Sequence, residues 1–315
     1  WWPAVVVLAL VTAAGCTASD EKQPRSDQAP AGTAKAVSLD PPAAGKTGTI
    51  DLDGRPFKLR LPPNYHPATK GPLLVLLHGY QSAGSVAQEQ YFKLTPEIDR
   101  RGFIYAMPDG MADPQGKKFW NASRACCDFY EKGVDDSAYL SKLIDTVAVS
   151  YAVDRNRVYL VGHSNGGFMA HRMACDHAAQ VTAIVSVAGM TTNDAAQCKP
   201  ERAVTVLQIH GTADEIISYR GGENGPGRPY PSVDTTIATW RQLDGCTEKA
   251  TISTPIDLVA TDPGAETTVT TYADGCRNAT RVVLWSMKDG LHSPEFSDAF
   301  ASSIMDFLEG QVAPA

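Results

Sequence analysis

Short segments that are wholly or mostly apolar recur along the chain, and they restrict its fold more than any other feature. Six of them have the length of a strand: residues 73–77, 103–107, 158–161, 183–187, 204–209 and 282–285. Continuous hydrophobicity, rather than alternation, is typical of strands that are buried on both faces of a parallel sheet. Two shorter β-like runs, at residues 50–52 and 57–61, precede the series.

Stretches with helical periodicity separate these segments. Two of them place apolar residues on one helical face: Leu140, Leu143, Ile144 and Val147 in the first, and Phe296, Phe300, Ile304 and Phe307 in the second. Strands that alternate with helices favour right-handed crossovers. The pattern therefore predicts an α/β fold: one doubly wound, mostly parallel sheet with helices on both faces, in a single domain at residues 49–310 without a large lid.

The first fifteen residues form the longest apolar run, which is too short to span a bilayer. We interpret it as the core of an export signal. Ala13, Ala14 and Gly15 precede Cys16, which resembles a bacterial lipoprotein signal whose cysteine is lipidated, although Ala13 stands where a larger aliphatic residue is more usual. The alternative is a plain export signal that is cleaved nearby.

Residues 17–48 show no apolar periodicity. Four prolines prevent a continuous helix there: Pro24, Pro30, Pro41 and Pro42. We expect a disordered tether with an r.m.s. span on the order of 30 Å. It would join a signal segment at residues 1–16 to the folded domain.

The overall charge limits the possible partners. The 28 basic and 35 acidic residues give a net charge of −7, and no basic cluster occurs, so we expect no nucleic-acid partner. Apolar residues make up 43% of the chain and charged residues 20%, which excludes wholesale disorder. We expect a monomer that contacts a membrane only through lipidated Cys16.

Apart from Cys16, the chain has six cysteines, an even number that suits an oxidising compartment. Six cysteines permit fifteen pairings, and the sequence does not choose among them. Local closure favours Cys175 with Cys198 and Cys246 with Cys276, which leaves the adjacent Cys126 and Cys127 to bond with each other. The alternative is six free thiols in a cytosolic protein. A zinc site is not indicated, because no CxxC spacing occurs.

The segment Gly162-His163-Ser164-Asn165-Gly166 is a G-x-S-x-G motif between a predicted strand and a predicted helix. In that position the flanking glycines let the backbone pass through a tight turn, and the serine hydroxyl projects from it. Ser164 is therefore a candidate nucleophile. The alternative is that Ser164 only caps the helix.

A serine nucleophile needs a histidine base and an acid that orients it. Asp214 follows the strand predicted at 204–209, and His292 follows the last strand, so the chain order serine, acid, histidine is the one this kind of sheet requires. Asp289 and Glu215 compete for the role of the acid.

An oxyanion hole requires two backbone N–H donors. We expect one from Asn165 and the other from Tyr80, with Gln81 as its alternative. We interpret His78, His163 and His210 as residues that hydrogen-bond backbone beneath the site, and His66, His171 and His177 as surface or helix residues. No cofactor or metal is expected.

Several motifs together resemble the secreted polyhydroxybutyrate depolymerase and feruloyl esterase family of α/β-hydrolases. They are Leu77-His78-Gly79, Trp120-Asn121, Cys126-Cys127, Asp135-Asp136, the segment around Ser164, His210-Gly211-Thr212-Ala213-Asp214 and Gly290-Leu291-His292-Ser293-Pro294. The resemblance implies a serine carboxylic-ester hydrolase that acts outside the cytoplasm on a small or polymeric ester, and places Trp120 and Asn121 among the substrate-binding residues.

The chain departs from that family at two places. Leu291 precedes the histidine and Ser293-Pro294 follows it, where the family has Gly before and Trp-Pro after; Tyr80 stands where the first loop usually has Cys or several glycines. Both departures bear on the substrate. The other hypotheses are an acyltransferase of the same fold that acts on cell-envelope lipids or sugars, a peptidase, and an idle binding protein.

Overall fold

The computed structural model describes residues 42–262 and 264–314, together with Trp1. The chain divides after Ala36, and the fold below belongs to the second unit, Val37–Ala315. The lipidation predicted at Cys16, the signal segment and most of the predicted tether lie outside the described residues. Within the described residues, no helix is long and apolar enough to cross a membrane.

The described part of the chain forms fourteen strands and six α-helices. The strands are β1 (Thr47–Leu52), β2 (Arg55–Arg60), β3 (Gly71–Leu77), β4 (Ile104–Met107), β5 (Met111–Ala112), β6 (Lys118–Phe119), β7 (Val153–His163), β8 (Ala183–Val187), β9 (Thr205–Gly211), β10 (Gly222–Glu223), β11 (Pro229–Tyr230), β12 (Ala250–Ile256), β13 (Thr267–Tyr272) and β14 (Val282–Met287). The helices are α1 (Ser85–Phe92), α2 (Thr95–Arg101), α3 (Asp136–Ser150), α4 (Asn165–Asp176), α5 (Val233–Asp244) and α6 (Ala299–Glu309).

Ten strands form one sheet in the order β1-β2-β4-β3-β7-β8-β9-β14-β13-β12. The six strands from β4 to β14 are parallel, and the pairs at both ends are antiparallel. Leu73, Val75 and Leu77 pack into one hydrophobic cluster, whereas Leu74 and Leu76 pack into the other. Burial on both faces explains the unbroken apolar runs. The predicted mostly parallel α/β sheet is thus confirmed.

Two strands and one boundary differ from the sequence-based expectation. Strand β12 is almost wholly exposed and β13 is rich in threonine, so neither carries an apolar run that would announce it. Strand β1 begins at Thr47, which pairs with Arg60. The folded sheet therefore starts two residues before position 49 and takes in the end of the predicted tether.

The three expected disulfides are present. Their pairs are Cys126–Cys127, Cys175–Cys198 and Cys246–Cys276. The second joins the end of α4 to the loop after β8, and the third joins the residues after α5 to those after β13. The Cys126–Cys127 pair is buried in the core, where the Cys126 sulfur accepts from the Asn165 amide.

A buried carboxyl group at the end of α5 leads to a stability prediction. Asp244 is fully buried; its Oδ1 accepts from the Val204 N–H at 3.2 Å, and its Oδ2 has no partner among the described residues. Burial raises the pKa of Asp244 to about 7. Because the folded pKa lies above the unfolded value, this group lowers the free energy of unfolding progressively as pH rises from about 4 to 7, by on the order of a few kcal/mol.

We therefore expect Asp244→Asn to raise Tm at pH 8. The amide carries no charge, and its oxygen can keep the Val204 hydrogen bond. Thermal unfolding of both proteins between pH 4 and pH 8 measures the effect, and the difference should shrink towards pH 4. An equal Tm difference at every pH would contradict the assigned ionisation.

Candidate active site

Three predicted site residues meet at the carboxyl edge of the parallel strands. Ser164 follows β7, Asp214 follows β9 and His292 follows β14. The Ser164 Oγ lies 2.9 Å from the His292 Nε2, and the His292 Nδ1 lies 2.8 Å from the Asp214 Oδ2. These distances make one hydrogen-bonded chain from the hydroxyl to the carboxylate, with a geometry that allows the imidazole to take the serine proton.

The turn that carries Ser164 is strained and tightly packed. Ser164 has φ 53° and ψ −117°, an uncommon conformation for a residue with a side chain. A Cβ at Gly166 would collide with the Leu77 carbonyl, and one at Gly162 would collide with the Gly166 carbonyl. Only glycine fits at these two crossings, which is the physical reason for the spacing of the motif.

Asp214 is held as a carboxylate by its hydrogen-bond donors. Its Oδ1 accepts from the Ile216 and Ile217 N–H groups at 2.9 and 2.8 Å, and its Oδ2 lies 3.2 Å from the His210 Nε2. Burial would raise the pKa of Asp214, but the hydrogen bonds from His210, His292 and Ile217 outweigh it and hold the pKa well below its usual range.

The two competing acids occupy a different environment. Asp289 and Glu215 are exposed, and neither side chain hydrogen-bonds to His292 in the part of the chain that the structure describes. The structure therefore pairs His292 with Asp214.

His163 hydrogen-bonds to the backbone of the loop that carries His292. Its Nε2 donates to the His292 carbonyl oxygen at 3.0 Å, and the two rings lie 5.2 Å apart. Burial, followed by the charge of His292, lowers the pKa of His163 to about 4. His163 is thus neutral at pH 7 and fixes the backbone that carries His292, in line with the expectation that it bonds backbone.

In the described structure, the backbone N–H groups of Tyr80 and Asn165, the two expected oxyanion donors, are not hydrogen-bonded, whereas that of Gln81 is. The Gln81 N–H donates to the Lys118 carbonyl at 3.1 Å, so it is already engaged. Within the described residues, the Tyr80 and Asn165 N–H groups have no acceptor. The Asn165 N–H also belongs to the first residue of α4, where the helix dipole favours negative charge. This pattern favours Tyr80 over Gln81.

A cavity of about 310 Å³ opens beside the serine. Its walls are formed by Gly79, Tyr80, Gln81, Ser82, Ala87, Gln88, Tyr91, His163, Ser164, His292 and Ser293. The Tyr80 hydroxyl donates to Asp113 at 2.8 Å, and burial together with this contact raises the pKa of Tyr80 to about 12. The phenol is therefore anchored and neutral.

Trp120 does not line this cavity. Its side chain is fully buried, and its indole N–H donates to the His78 carbonyl at 3.1 Å. Its backbone N–H donates to the Asn165 Oδ1 at 2.7 Å, and its carbonyl accepts from the Asn165 Nδ2 at 2.9 Å. The Trp120 backbone thus fixes the side chain of Asn165, the residue after Ser164. The residues around Trp120 in the sequence did not indicate this contact.

Asn121 is only partly buried and lies in a separate cleft. Its Nδ2 donates to the Val134 carbonyl at 2.9 Å, and the cleft walls include Ser123 and Arg124. The two residues that the resemblance implied for substrate binding are therefore not brought together with Ser164 in one cavity.

The acid loop and the histidine loop cross at two glycines. A Cβ at Gly211 would collide with the Gly290 carbonyl. We expect Gly211→Ala to displace the two loops, to lower the free energy of unfolding by about 1–3 kcal/mol and to lower kcat at least about tenfold.

Denaturant unfolding and steady-state kinetics measure both effects. Gly310→Ala is the matched control, because the nearest atom to its Cβ would be the Phe307 carbonyl oxygen at 3.8 Å. Equal changes in the free energy of unfolding and in kcat for the two variants would show that the crossing does not constrain residue 211.

Among the described residues, no group of three or more His, Cys, Asp or Glu side chains could hold a metal ion. The side chains brought together at the sheet edge are a serine, a histidine and a buried carboxylate.

Comparison with known proteins gives a family match. The family model described as Phospholipase/Carboxylesterase matches residues 66–226. Feruloyl esterase B of Piromyces equi is 27% identical over 205 residues, which cover 62% of this chain and 37% of that protein. The bifunctional acetylxylan esterase/xylanase XynS20E of Neocallimastix patriciarum is 28% identical over 211 residues, which cover 61% and 29%. The chain thus spans well under two thirds of these relatives.

Among solved structures, the acetyl xylan esterase from Aspergillus awamori matches with a TM-score of 0.59 at 14% identity. The match covers 84% of this chain and 99% of that one. At that identity the likeness supports the fold.

Proposed function

The chain belongs to the phospholipase/carboxylesterase family of α/β-hydrolases, and from this we propose that it hydrolyses carboxylic esters through a covalent acyl-enzyme. Ser164 is the nucleophile, His292 the general base and acid, and Asp214 the carboxylate that orients His292. The observation that carries the proposal is the hydrogen-bonded chain from Ser164 Oγ through His292 to Asp214.

The proposed reaction runs in two halves. The Ser164 Oγ attacks the ester carbonyl carbon as its proton moves to the His292 Nε2. The negative charge on the carbonyl oxygen is stabilised by the Tyr80 and Asn165 N–H groups, and the tetrahedral intermediate expels the alcohol, which takes the proton from Nε2. Water then gives a proton to the His292 Nε2 as it attacks the acyl-enzyme. The second tetrahedral intermediate releases the acid, and Nε2 returns the proton to the Ser164 Oγ.

The substrate class follows from the resemblance and from the cavity walls. We propose a feruloyl-type aromatic ester or a hydroxyacyl ester, since the names of the relatives include a feruloyl esterase. The positions at which the chain departs from the resembling family lie at the site: Tyr80 and Ser293 line the cavity, and Leu291 is 59% exposed beside His292. These residues would set the selectivity of this chain.

Product analysis tests the proposal. Purified protein is incubated with feruloyl, short-acyl and polyhydroxybutyrate substrates, each with and without a sugar or glycerol as an acceptor. Release of the free acid, unchanged by the acceptor, supports hydrolysis; an acyl-sugar or acylglycerol as the main product would replace it with acyl transfer. No conversion of any ester would refute the proposed function.

The location is a proposal of the same kind. Three disulfides suit an oxidising compartment, so we propose that the domain acts outside the cytoplasm, attached to the outer face of the membrane through lipidated Cys16. Mass spectrometry of the mature N-terminus tests this after expression of the chain in a bacterium that processes lipoproteins. A peptide that begins at unmodified Cys16 or later, in protein from the medium, would contradict the anchor.

A further inference from the structure

Four buried polar side chains from α5, α4 and β9 form a hydrogen-bonded line that ends at Asp214. The Trp240 Nε1 donates to the His171 Nδ1 at 2.8 Å, and the His171 Nε2 lies 3.0 Å from the Gln208 Oε1. The Gln208 Nε2 lies 3.1 Å from the His210 Nδ1. All four residues are at most 1% exposed, and the proposed reaction uses none of them.

The direction of every hydrogen bond in this line is determined. The Gln208 Nε2 donates to the Gly189 carbonyl at 2.8 Å, which fixes the orientation of the amide. Its Oε1 must then accept from the His171 Nε2–H, and the His171 Nδ1 must accept from the indole of Trp240. His171 is therefore neutral, with its proton on Nε2.

The same logic fixes the tautomer of His210. Its Nδ1 accepts from the Gln208 amide, so its proton is on Nε2, which lies 2.7 Å from the Ile217 carbonyl and 3.2 Å from the Asp214 Oδ2. A second proton on Nδ1 would face an N–H donor and would have no acceptor. His210 consequently carries its N–H on the side of the Ile217 carbonyl and Asp214.

Few titratable groups surround His210 and Asp214 in the described structure. His292 and His210 face the Asp214 carboxylate, and His163 faces His292. The Tyr219 ring packs edge-on against His210 at 5.8 Å, and burial raises its pKa. Asp289 and Glu215 are exposed on the two loops.

We propose that His210 is a positioning residue, locked as its Nε2–H tautomer by Gln208, His171 and Trp240, and that it tunes how strongly Asp214 stabilises protonated His292. This rests on the proposed function, because it assigns roles to Asp214 and His292. The His210 N–H donates to the Ile217 carbonyl at 2.7 Å, and its Nε2 lies 3.2 Å from the Oδ2 on which His292 depends, so the partial positive charge of the N–H offsets part of the negative charge of that oxygen.

The proposal gives a signed expectation for His210→Phe. Without the partial positive charge of the His210 N–H beside Oδ2, the carboxylate attracts protonated His292 more strongly, so the midpoint of the acid limb of kcat/KM moves to higher pH. Plateau kcat falls about threefold to tenfold because the bond from His210 to the Ile217 carbonyl, which holds the loop that positions Asp214, is lost. KM changes little, since His210 does not line the cavity.

His210→Gln is the conservative variant. An amide nitrogen near the former Nε2 can still donate to Asp214, so the midpoint should return towards that of the wild type. Trp240→Phe removes only the N–H at the far end of the line, and should shift the midpoint in the same direction by a smaller amount. Trp285→Phe is its matched control, because Trp285 is also buried, at 6% exposure, and lies outside the line.

The pH dependence of kcat/KM is measured for these four variants and the wild type, with Tm recorded for each to confirm folding. An unmoved midpoint, or one at lower pH, in folded His210→Phe overturns the proposal, as does a Trp240→Phe midpoint equal to that of Trp285→Phe. Ring ¹⁵N NMR of the wild type adds a direct readout: a protonated Nδ1 on His210 between pH 5 and 9 also overturns it.

Failure of the proposed function would look different. If the wild type hydrolyses no ester, or if Ser164→Ala keeps its activity, the assignment of the triad fails. The NMR measurement still tests the tautomer of His210 in that case, because it does not depend on activity.

Discussion

Ser164→Ala is expected to lower kcat/KM for ester hydrolysis at least about a thousandfold, because covalent catalysis is lost with the hydroxyl. The fold should survive. Among the described residues the Ser164 Oγ bonds only to His292, and the backbone bond from the Ser164 N–H to the Val187 carbonyl at 2.7 Å is kept. A residue with a Cβ already occupies this strained turn, so alanine adds no new clash.

Hydrolysis of p-nitrophenyl acetate and of a feruloyl ester measures the loss, and circular dichroism with Tm confirms folding. Ser302→Ala is the matched control, since this serine lies on α6 and bonds only to the Ala299 carbonyl in the described structure. Wild-type turnover by folded Ser164→Ala would remove the nucleophile from the proposed mechanism.

Asp214→Asn is expected to lower kcat about 10³-fold to 10⁴-fold. An amide in place of the carboxylate presents an N–H or a neutral oxygen to the His292 Nδ1, so it favours the wrong tautomer and no longer stabilises the imidazolium. It also carries one donor into a site where Ile216, Ile217 and His292 already donate. Some loss of Tm should accompany the loss of activity.

Asp289→Asn is the control for this variant. Asp289 lies on the histidine loop, is exposed, and contributes its backbone N–H to the Thr212 hydroxyl at 2.8 Å, a bond that asparagine keeps. Kinetics of both purified variants should show a small effect for Asp289→Asn. The opposite order of effects would move the acid to the last loop.

The sequence predicted the parallel centre of the sheet because burial on both faces leaves a local record. Residues 73–77 are apolar throughout and residues 183–187 are apolar apart from Ser186, which is typical of strands buried on both faces. Strand β12 has no such apolar pattern, because its residues are mostly exposed. It is held in the sheet by its pairing with β13. Long-range pairing of polar strands is invisible to a local pattern.

The site divides in the same way. Ser164, Asp214 and His292 could be predicted from a motif and from chain order, because each follows a recognisable strand. The burial of Trp120 could not, since it depends on how residues 120 and 165 meet in space. The sequence also placed His171 on a helix, but its link to Gln208 joins α4 to β9 and has no sequence signature.

The glycine crossings also restrict how the sequence of this chain can change. Gly162, Gly166 and Gly211 meet a backbone carbonyl where a side chain would start, so drift at these positions costs both geometry and fold. Tyr80, Leu291 and Ser293 border the same site without such crossings. Selection for a new ester therefore has to act through the second group, and a library for altering specificity belongs there, with the glycines left unchanged.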